Sequence, residues 1–134
     1  MTEQIQKIAL GIIRDNDHVL MVERRKKERG TDGELLNWAF PGGKIESDET
    51  PFTTAEREVF EETGRRVQAV STLDGGQHPS FPAYIYYIAC RLSDDNAEKV
   101  NDSGVIQAKW IPIAKLGIFV TSSVNSAVEK HLMY

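Results

Sequence analysis

The chain contains few of the residues from which small disulfide-bonded or zinc-bound domains are built. Its single cysteine, Cys90, excludes an internal disulfide, and its three histidines are scattered, so a zinc centre of thiolates or clustered imidazoles is not expected. No apolar run approaches the length of a membrane span, and the sequence does not open on a basic segment followed by an apolar one. These absences predict a cytoplasmic protein that does not cross a membrane, with Cys90 buried in an apolar core.

An excess of basic residues is also missing. The formal net charge of −4 argues against binding to nucleic acid polymers, because such proteins usually carry a basic surface. A small phosphorylated ligand is compatible with this charge, since local charges decide its binding. The chain has 134 residues, of which 40% are hydrophobic and 27% charged, and it lacks repeats and linkers. Residues 1–134 are therefore expected to form one domain.

The most informative stretch covers residues 42–64 and reads GGKIESDETPFTTAEREVFEETG. Its second half predicts a helix: Thr50 suits the N-cap, Pro51 the first helical position, and Gly64 the left-handed residue after the last turn. One side of this helix is apolar and carries Phe52, Ala55, Val59 and Phe60. We expect the helix to pack on the rest of the protein through this side.

A different side of the predicted helix is acidic, since Glu58, Glu61 and Glu62 stand at positions i, i+3 and i+4. Like charges at these spacings destabilise a helix by roughly 0.2–0.5 kcal/mol per pair, and a helix C-terminus also disfavours negative charge. Glu49 precedes the helix, and Arg57 can hold a carboxylate by a forked hydrogen bond. Two interpretations are open: a solvated acidic face, or ligands for a hard divalent cation such as Mg²⁺ or Mn²⁺.

The same stretch resembles the box of the Nudix hydrolases, G-x5-E-x7-R-E-U-x-E-E-x-G-U, in which U is a bulky aliphatic residue. The fixed positions that match are Gly43, Glu49, Arg57, Glu58, Val59, Glu61, Glu62 and Gly64. Two positions depart from the family pattern: Arg65 replaces the last aliphatic residue, and Asp48 stands where many members have glycine. We expect the first departure to affect packing under the helix end, and the second to affect the turn before the helix.

The resemblance implies an α+β protein with a Nudix fold, an α/β/α sandwich around a mixed β-sheet. It also implies a metal site that holds Mg²⁺, with Mn²⁺ as a substitute. The implied metal ligands are Glu49, Glu58, Glu61, Glu62 and the carbonyl oxygen of Gly42. Arg57 is expected to act in catalysis with these glutamates by orienting one of the carboxylates.

Apolar and alternating runs predict the remaining elements of an order β-β-(short β)-α-β-β-β-α. The predicted strands cover residues 5–13, 18–23, 67–73, 83–92 and 105–111. The first two should form a hairpin around the turn residues 14–17. An amphipathic helix is expected near residues 124–131, capped by Ser122 or Ser123. Phe40 and Trp110 are expected in the core.

Several residues are candidates for substrate contact. The charged run at residues 23–34 is either an exposed loop or a source of basic side chains that meet substrate phosphates, and the resemblance favours Arg24. Trp38 is either a core residue or part of a wall that binds the nucleobase. Tyr84 and Tyr86 share one face of a predicted strand, where they either line the nucleotide pocket or pack in the core.

The general base is not fixed by the sequence. Many Nudix proteins bring an acid from the region of residues 93–104 to the metal site, which makes Glu98 and Asp102 candidates. Glu61 and Glu62 compete with them. His78 lies in a loop rich in turn residues and is a further candidate, since an ordinary histidine pKa is near physiological pH.

The activity implied by the resemblance is Mg²⁺-dependent hydrolysis of a diphosphate linkage in a nucleoside diphosphate derivative. We expect a nucleoside triphosphate as substrate and a nucleoside monophosphate as product, because the chain is short and lacks an obvious N-terminal dimerisation domain of the kind seen in ADP-ribose-cleaving relatives. ADP-ribose or a nucleotide sugar is the alternative substrate. A catalytically silent, nucleotide-binding regulator is the alternative function. The protein is expected to be a monomer or a homodimer.

Overall fold

The structure is a computed structural model that describes residues 4–29, 35–79, 81–100, 102, 104–120 and 124–133. It describes the side chains of these residues except 26–29, 35 and 36. The elements are β1 (Gln6–Asp15), β2 (His18–Arg29), β3 (Leu35–Ala39), β4 (Gly42–Lys44), α1 (Pro51–Thr63), β5 (Arg65–Gln77), β6 (Ala83–Ala97), β7 (Val105–Pro112), a 3₁₀ helix (Ile113–Lys115), α2 (Leu116–Phe119) and α3 (Ser126–Met133).

Seven strands of the described chain form one mixed sheet. Its main path is β3-β2-β1-β6-β5, with β4 added beside β1 and β7 beside β2. β1 and β6 run parallel, with Ile8 opposite Ile85, and the other pairs are antiparallel. β1 and β2 pair next to their turn, where Arg14 lies opposite Val19. The predicted hairpin is therefore confirmed, and beyond it β1 pairs with β4 and β6 while β2 pairs with β3 and β7.

Helices cover both faces of this sheet. On the face of α1, the buried core residues are Ala9, Ile13, Leu20, Ala55, Val59, Val67, Ile88 and Cys90. On the face of α2 and α3, they are Ile12, Val19, Met21, Phe40, Ile111, Leu116, Val120, Val128 and Leu132. The predicted α+β sandwich is thus confirmed, as are the buried positions of Cys90 and Phe40. Burial raises the pKa of the Cys90 thiol to about 12.

The predicted helix α1 has the predicted ends. The Thr50 hydroxyl accepts a hydrogen bond from the Thr53 N–H at 3.2 Å, and Pro51 begins the helix. Gly64 follows the last turn with φ 73°, where a Cβ atom would lie 2.0 Å from the main-chain oxygen of Glu98. The Glu98 N–H in turn donates to the Gly64 carbonyl at 2.8 Å. Only glycine suits this position, because it needs both a left-handed backbone and the close approach of another chain segment.

Three strands, β2, β5 and β6, are clearly longer than their apolar patterns predict. β5 was expected at residues 67–73 and runs from Arg65 to Gln77. β2 continues through Arg29, so the interpretation of residues 24–29 as a loop is wrong. Its main chain pairs on both edges, with Arg24 opposite Val105 on β7 and Arg29 opposite Leu35 on β3, which holds charged residues in a strand. Likewise, β6 extends to Ala97, opposite the first residue of β5. Residues 30–34 of the charged run lie outside the described residues.

The short elements are those that the sequence pattern predicts least well. Two short strands, β3 and β4, precede α1 where one was expected, and the 3₁₀ helix and α2 after Pro112 were not predicted. Elements of three to five residues are too short for hydrophobic periodicity to mark them. None of the described helices is both long and apolar enough to cross a membrane.

The closing helix α3 is capped by Asn125. Its side-chain oxygen accepts from the main-chain N–H groups of Ala127 at 2.9 Å and Val128 at 3.1 Å. Its side-chain amide also donates to Asp74 on β5 at 3.0 Å, which lowers the pKa of that carboxyl. The predicted caps, Ser122 and Ser123, lie outside the described residues. The residue that caps the helix is Asn125.

Replacing Asn125 by alanine is expected to destabilise the protein by about 1 kcal/mol, because two N–H groups of α3 lose their acceptor. The measurement is chemical or thermal unfolding of the variant and the wild type. Asn125→Ser is the matched control, since a serine oxygen can still cap the helix while the contact with Asp74 is lost. Equal destabilisation by both changes would show that the Asp74 contact, not the cap, carries the effect.

Candidate active site

α1 presents its three glutamates to very different surroundings. Glu62 is 2% exposed, Glu58 is half-buried, and the side chain of Glu61 is 48% exposed. This gradient arises because α1 packs against β4 and the sheet, so that residues at neighbouring helical positions differ in their distance from the core. A buried carboxylate without a role would be costly, which singles out Glu62 for closer attention.

Glu62 lies between β2 and β4. The Gly42 N–H donates to Glu62 Oε1 at 2.8 Å, and the Arg24 guanidinium forms an ion pair with both carboxylate oxygens. Burial raises the pKa of the Glu62 carboxyl to about 7, because the loss of water outweighs the attraction of Arg24. The site thus holds a carboxylate whose charge is only partly compensated, and an additional cation would stabilise it.

Glu58 lies directly against Gly43. A Cβ atom at position 43 would come 2.8 Å from the carboxyl carbon of Glu58, so a glycine is needed for the carboxylate to occupy this place. Burial raises the pKa of the Glu58 carboxyl. Glu58 and Glu62 therefore meet the same short strand β4, one at each of its two glycines.

Arg57 connects three of the predicted site carboxylates. Its guanidinium donates to both oxygens of Glu49 at 2.7 and 2.9 Å, to Glu58 at 2.9 Å and to Glu61 at 3.2 Å. The hydrogen bonds from Arg57 lower the pKa of the Glu49 carboxyl to about 2, and the acidic partners raise the pKa of Arg57. The geometry supports the predicted role of Arg57 as a residue that positions carboxylates.

Arg24 makes the corresponding contacts on the other side of the site. Besides Glu62, its Nη2 donates to the Gly42 carbonyl oxygen at 3.2 Å. These two acceptors are both predicted metal ligands. Arg24 was predicted to meet substrate phosphates; in the structure, its guanidinium contacts these metal-ligand candidates.

The donor atoms suit a hard divalent cation, because carboxylates and a main-chain carbonyl supply only oxygen. As they stand, no three acidic, histidine or cysteine side chains of the described residues form a ready metal-binding group. The charge of the four carboxylates is partly offset by two arginines, with Arg24 on Glu62 and Arg57 on the other three. The residues fit a metal in type and location, and binding it would require the carboxylates to exchange guanidinium for metal contacts.

A cleft with a volume of about 500 Å³ begins at this cluster. Its described lining residues are Gln4, Gln6, Ile8, Leu10, Arg24, Gly42, Gly43, His78, Phe81, Pro82, Ala83 and Ile85. The volume lies within the range of small-molecule sites. Sequence reasoning missed Phe81 and the aliphatic residues of the cleft, because a single exposed aromatic residue in a loop carries no periodic signal.

The predicted aromatic contacts lie elsewhere. Tyr84 and Tyr86 contact each other with ring centroids 5.0 Å apart, and Tyr86 packs on the core face of α1. Because side chains alternate along β6, Ala83 and Ile85 face the cleft in their place. The two tyrosines therefore do not line this cleft, and their contacts agree with the packing interpretation. Trp38 packs edge-to-face on Phe119, 5.5 Å between centroids, and belongs to the core around α2 and α3.

The sequence and this geometry agree with one family. A model of the NUDIX domain matches residues 5–130 of the chain. The chain belongs to the NUDIX domain family. The resemblance of residues 43–64 to the Nudix box is thereby confirmed, and the box residues are those that surround Gly42 and Gly43.

Individual relatives support this assignment. The chain is 30% identical over 140 residues to Nucleoside diphosphate-linked moiety X motif 6 of Xenopus laevis, covering 99% of the chain and 61% of that protein. It is 38% identical over 68 residues to the 8-oxo-dGTP diphosphatase of Escherichia coli, covering 51% of the chain and 50% of that protein. The solved structure of the MutT protein of Methanosarcina mazei superposes with a TM-score of 0.70 at 19% identity, over 99% of this chain and 96% of that one, which shows the shared fold.

The chain spans between 34% and 61% of the length of the first curated relatives that it matches. What those longer proteins do as a whole is therefore carried over to this Nudix domain only as a proposal.

Both departures from the Nudix box are accommodated locally. Arg65 begins β5, where its guanidinium lies over the ring of Trp110 at 5.6 Å and donates to the Asp95 carbonyl at 3.2 Å. The arginine thus uses a cation–π contact where an aliphatic residue would pack. Asp48 is exposed in a turn, and its φ is not positive, so glycine is not required there.

Three of the candidates for an acid–base group lie outside α1, and the structure separates them. Glu98 binds Arg66 at 3.1 Å and is tied to the end of α1 through Gly64, so its described contacts do not include the site. The prediction of Glu98 as a base is therefore not supported, because its main chain closes the helix end. Asp102 instead lines a cavity of about 370 Å³ together with Glu62. His78 is buried and accepts the Phe81 N–H at Nδ1 at the far end of the cleft.

Proposed function

We propose that this Nudix domain hydrolyses a diphosphate linkage in a nucleoside diphosphate derivative with the help of a bound divalent cation. The observation that supports this most is that Glu58 and Glu62 reach β4 at Gly43 and Gly42, where a cleft of small-molecule size begins. Nudix hydrolases generally use a divalent metal ion. Clustered carboxylates beside a cleft are the equipment that phosphoryl transfer needs, since its catalysis depends on positioning and charge stabilisation.

Mg²⁺ is the proposed cation, with Mn²⁺ as a substitute. The residues that would hold it are Glu49, Glu58, Glu61, Glu62 and the Gly42 carbonyl. When bound, such a cation neutralises phosphate oxygens and lowers the pKa of coordinated water. Arg57 would keep the carboxylates in place through its forked hydrogen bonds. Arg24, which contacts Glu62 and Gly42 in the structure, would exchange these partners for a substrate phosphate.

The proposed reaction adds water to a phosphorus atom of the substrate and breaks one P–O–P bond. With a nucleoside triphosphate, the products are a nucleoside monophosphate and pyrophosphate. The water loses a proton to a general base, for which Asp102 is a candidate because it shares a cavity with Glu62. Glu61 is a second candidate, since its side chain is 48% exposed and can meet solvent.

A nucleoside triphosphate is the proposed substrate. The similarity to an Escherichia coli 8-oxo-dGTP diphosphatase supports this choice. ADP-ribose and nucleotide sugars are the alternative substrates, because they contain the same diphosphate linkage and the box residues do not distinguish them.

A catalytically silent nucleotide-binding domain is the alternative function, and one observation favours it. Each of the four carboxylates of the cluster already forms an ion pair with one of two arginines, so the acids are not left without partners in the absence of a metal. Such a domain would bind a nucleotide in the cleft without cleaving it.

A substrate panel with Mg²⁺ separates these functions. We expect the purified protein to release a nucleoside monophosphate and pyrophosphate from one or more of the canonical and oxidised nucleoside triphosphates, as followed by chromatography and mass spectrometry. If the protein cleaves only ADP-ribose or a nucleotide sugar, its substrate belongs to the alternative class and not to the nucleoside triphosphates. Nucleotide binding, measured by calorimetry, without any product would support the silent domain.

A further inference from the structure

The cleft has two chemically different ends. At one end lie Arg24, Gly42 and Gly43, next to the carboxylate cluster. At the other end lie Phe81 and Pro82, beside the side chains of Gln4, Gln6 and His78. The substrate must therefore have a charged part for the first end and an uncharged part for the second.

The strand register gives the distance between the two ends. On β1, Ala9 lies opposite Gly43 of β4, and Gln6 lies opposite Ala83 of β6. Three residues along a strand span about 10 Å, and β4 and β6 pair with opposite edges of β1, which adds about 10 Å across the sheet. The two ends are therefore about 14 Å apart, a span that the triphosphate, sugar and base of a nucleotide can bridge together, so a nucleotide held by its phosphates at Gly43 would place its base near Gln6 and Phe81.

The floor between the two ends is apolar. Ile8 and Ile85 lie opposite each other on the parallel strands β1 and β6, and both side chains line the cleft together with Leu10. Such a floor offers no hydrogen bonds to a sugar or base, so recognition of the base must occur at the far end. Among the described residues that line the cleft, the cationic side chain is that of Arg24, which lies at the phosphate end.

Phe81 is the aromatic residue that this end presents. It is 45% exposed, and its ring lies 5.2 Å from the imidazole of His78. The loop is held in place from both sides: the His78 N–H donates to the Ala83 carbonyl at 2.7 Å, and the Phe81 N–H donates to His78 Nδ1 at 3.2 Å. An aromatic ring fixed in this way is a preorganised surface on which a planar base can stack.

We propose that Phe81 is the stacking surface for the substrate nucleobase, with the side-chain amide of Gln6 at the base edge. The amide offers both donors and an acceptor, which matches the edge of a heteroaromatic base. The main chain of Gln6 is fixed by its N–H donating to the Pro82 carbonyl at 2.8 Å. This assignment rests on the proposed function, since the phosphate end must hold the phosphates for the base to reach Phe81.

The test is Phe81→Ala, assayed on the best nucleotide of the panel and on a base-free substrate, inorganic tripolyphosphate. Loss of stacking on an aromatic ring is expected to raise KM for the nucleotide by about 5- to 150-fold and to change kcat little. Hydrolysis of tripolyphosphate should be unchanged. Phe81→Trp should restore the nucleotide KM, because it also offers a planar ring.

Ile118→Ala is the matched control, since Ile118 is 74% exposed on α2 and does not line the cleft. Thermal unfolding checks that each variant is folded. An unchanged nucleotide KM for Phe81→Ala, or an equal rise for nucleotide and tripolyphosphate, would overturn the assignment.

Failure of the proposed function gives a different result. If the wild type cleaves nothing, equilibrium binding of a nucleoside monophosphate and of inorganic phosphate replaces the kinetics. Weaker binding of the nucleoside monophosphate to Phe81→Ala, with phosphate binding unchanged, would support the base site without catalysis. Equal binding of the monophosphate to variant and wild type, or its absence in both, would overturn the base site as well.

Discussion

Glutamine in place of Glu62 is expected to lower kcat for nucleotide hydrolysis by about 100-fold or more. The change keeps the shape of the side chain and an oxygen that can accept the Gly42 N–H, as Glu62 does at 2.8 Å. It removes the charge that attracts a divalent cation to the buried end of the cluster. The magnitude follows from metal sites in which loss of an outer hydrogen-bond partner alone costs about 10- to 100-fold. Steady-state kinetics with Mg²⁺ on the nucleotide that the panel identifies provides the measurement.

The fold of this variant should persist, because glutamine can fill the same space and keep the contact to β4. Thermal unfolding and a titration with Mn²⁺ distinguish a lost metal ligand from a lost fold. Glu129→Gln is the matched control, since it makes the same chemical change at an exposed position of α3. Full activity of Glu62→Gln with Mg²⁺ would remove Glu62 from the site.

Alanine in place of Arg57 is expected to lower kcat by about 10- to 100-fold, the range found for outer partners of metal ligands. Glu49, Glu58 and Glu61 would lose their shared partner and repel one another. The pKa of Glu49, which the hydrogen bonds of Arg57 lower to about 2, would return towards its ordinary value. Kinetics with Mg²⁺ should show a larger change in kcat than in nucleotide KM, and calorimetry should show weaker Mn²⁺ binding.

Two further variants serve as comparisons for Arg57→Ala. Arg57→Lys keeps the charge but cannot form the forked hydrogen bond, so its activity should lie between those of the wild type and the alanine variant. Arg66→Ala removes an exposed arginine whose partner, Glu98, is also exposed, and it should leave kinetics unchanged. Wild-type kinetics and Mn²⁺ affinity for Arg57→Ala would refute the positioning role.

The elements of this fold that could be predicted are those with strong local signals. α1 has its predicted N-cap at Thr50 and its predicted end at Gly64, because capping and a left-handed glycine are properties of a few neighbouring residues. The extension of β2 through Arg29 could not be predicted in the same way. Its charged residues lack a strand pattern, and they are held in the sheet by pairing with β3, the next strand of the chain, and with β7, which is far away in the sequence.

The residues of the candidate site also divide into those that the sequence predicts and those that it does not. The position of Glu58, Glu61 and Glu62 on one side of a helix follows from their spacing, and the family follows from the box. The aromatic residue of the cleft did not follow, because the alternation of a strand marked Tyr86 while Phe81 lies in a loop without a periodic pattern. Strand register turns Tyr86 towards α1, while a loop places Phe81 at the cleft.

By itself, the sequence determined the helix α1, its row of acids and the Nudix family, because each depends on residues within one short stretch. Only the tertiary structure decided that Arg24 pairs with Glu62, 38 positions away, and that Glu98 closes a helix end while Asp102 shares a cavity with Glu62. The physical reason is that these contacts join separate strands and loops. Their geometry is set by the packing of the whole sheet, which no local spacing of residues encodes.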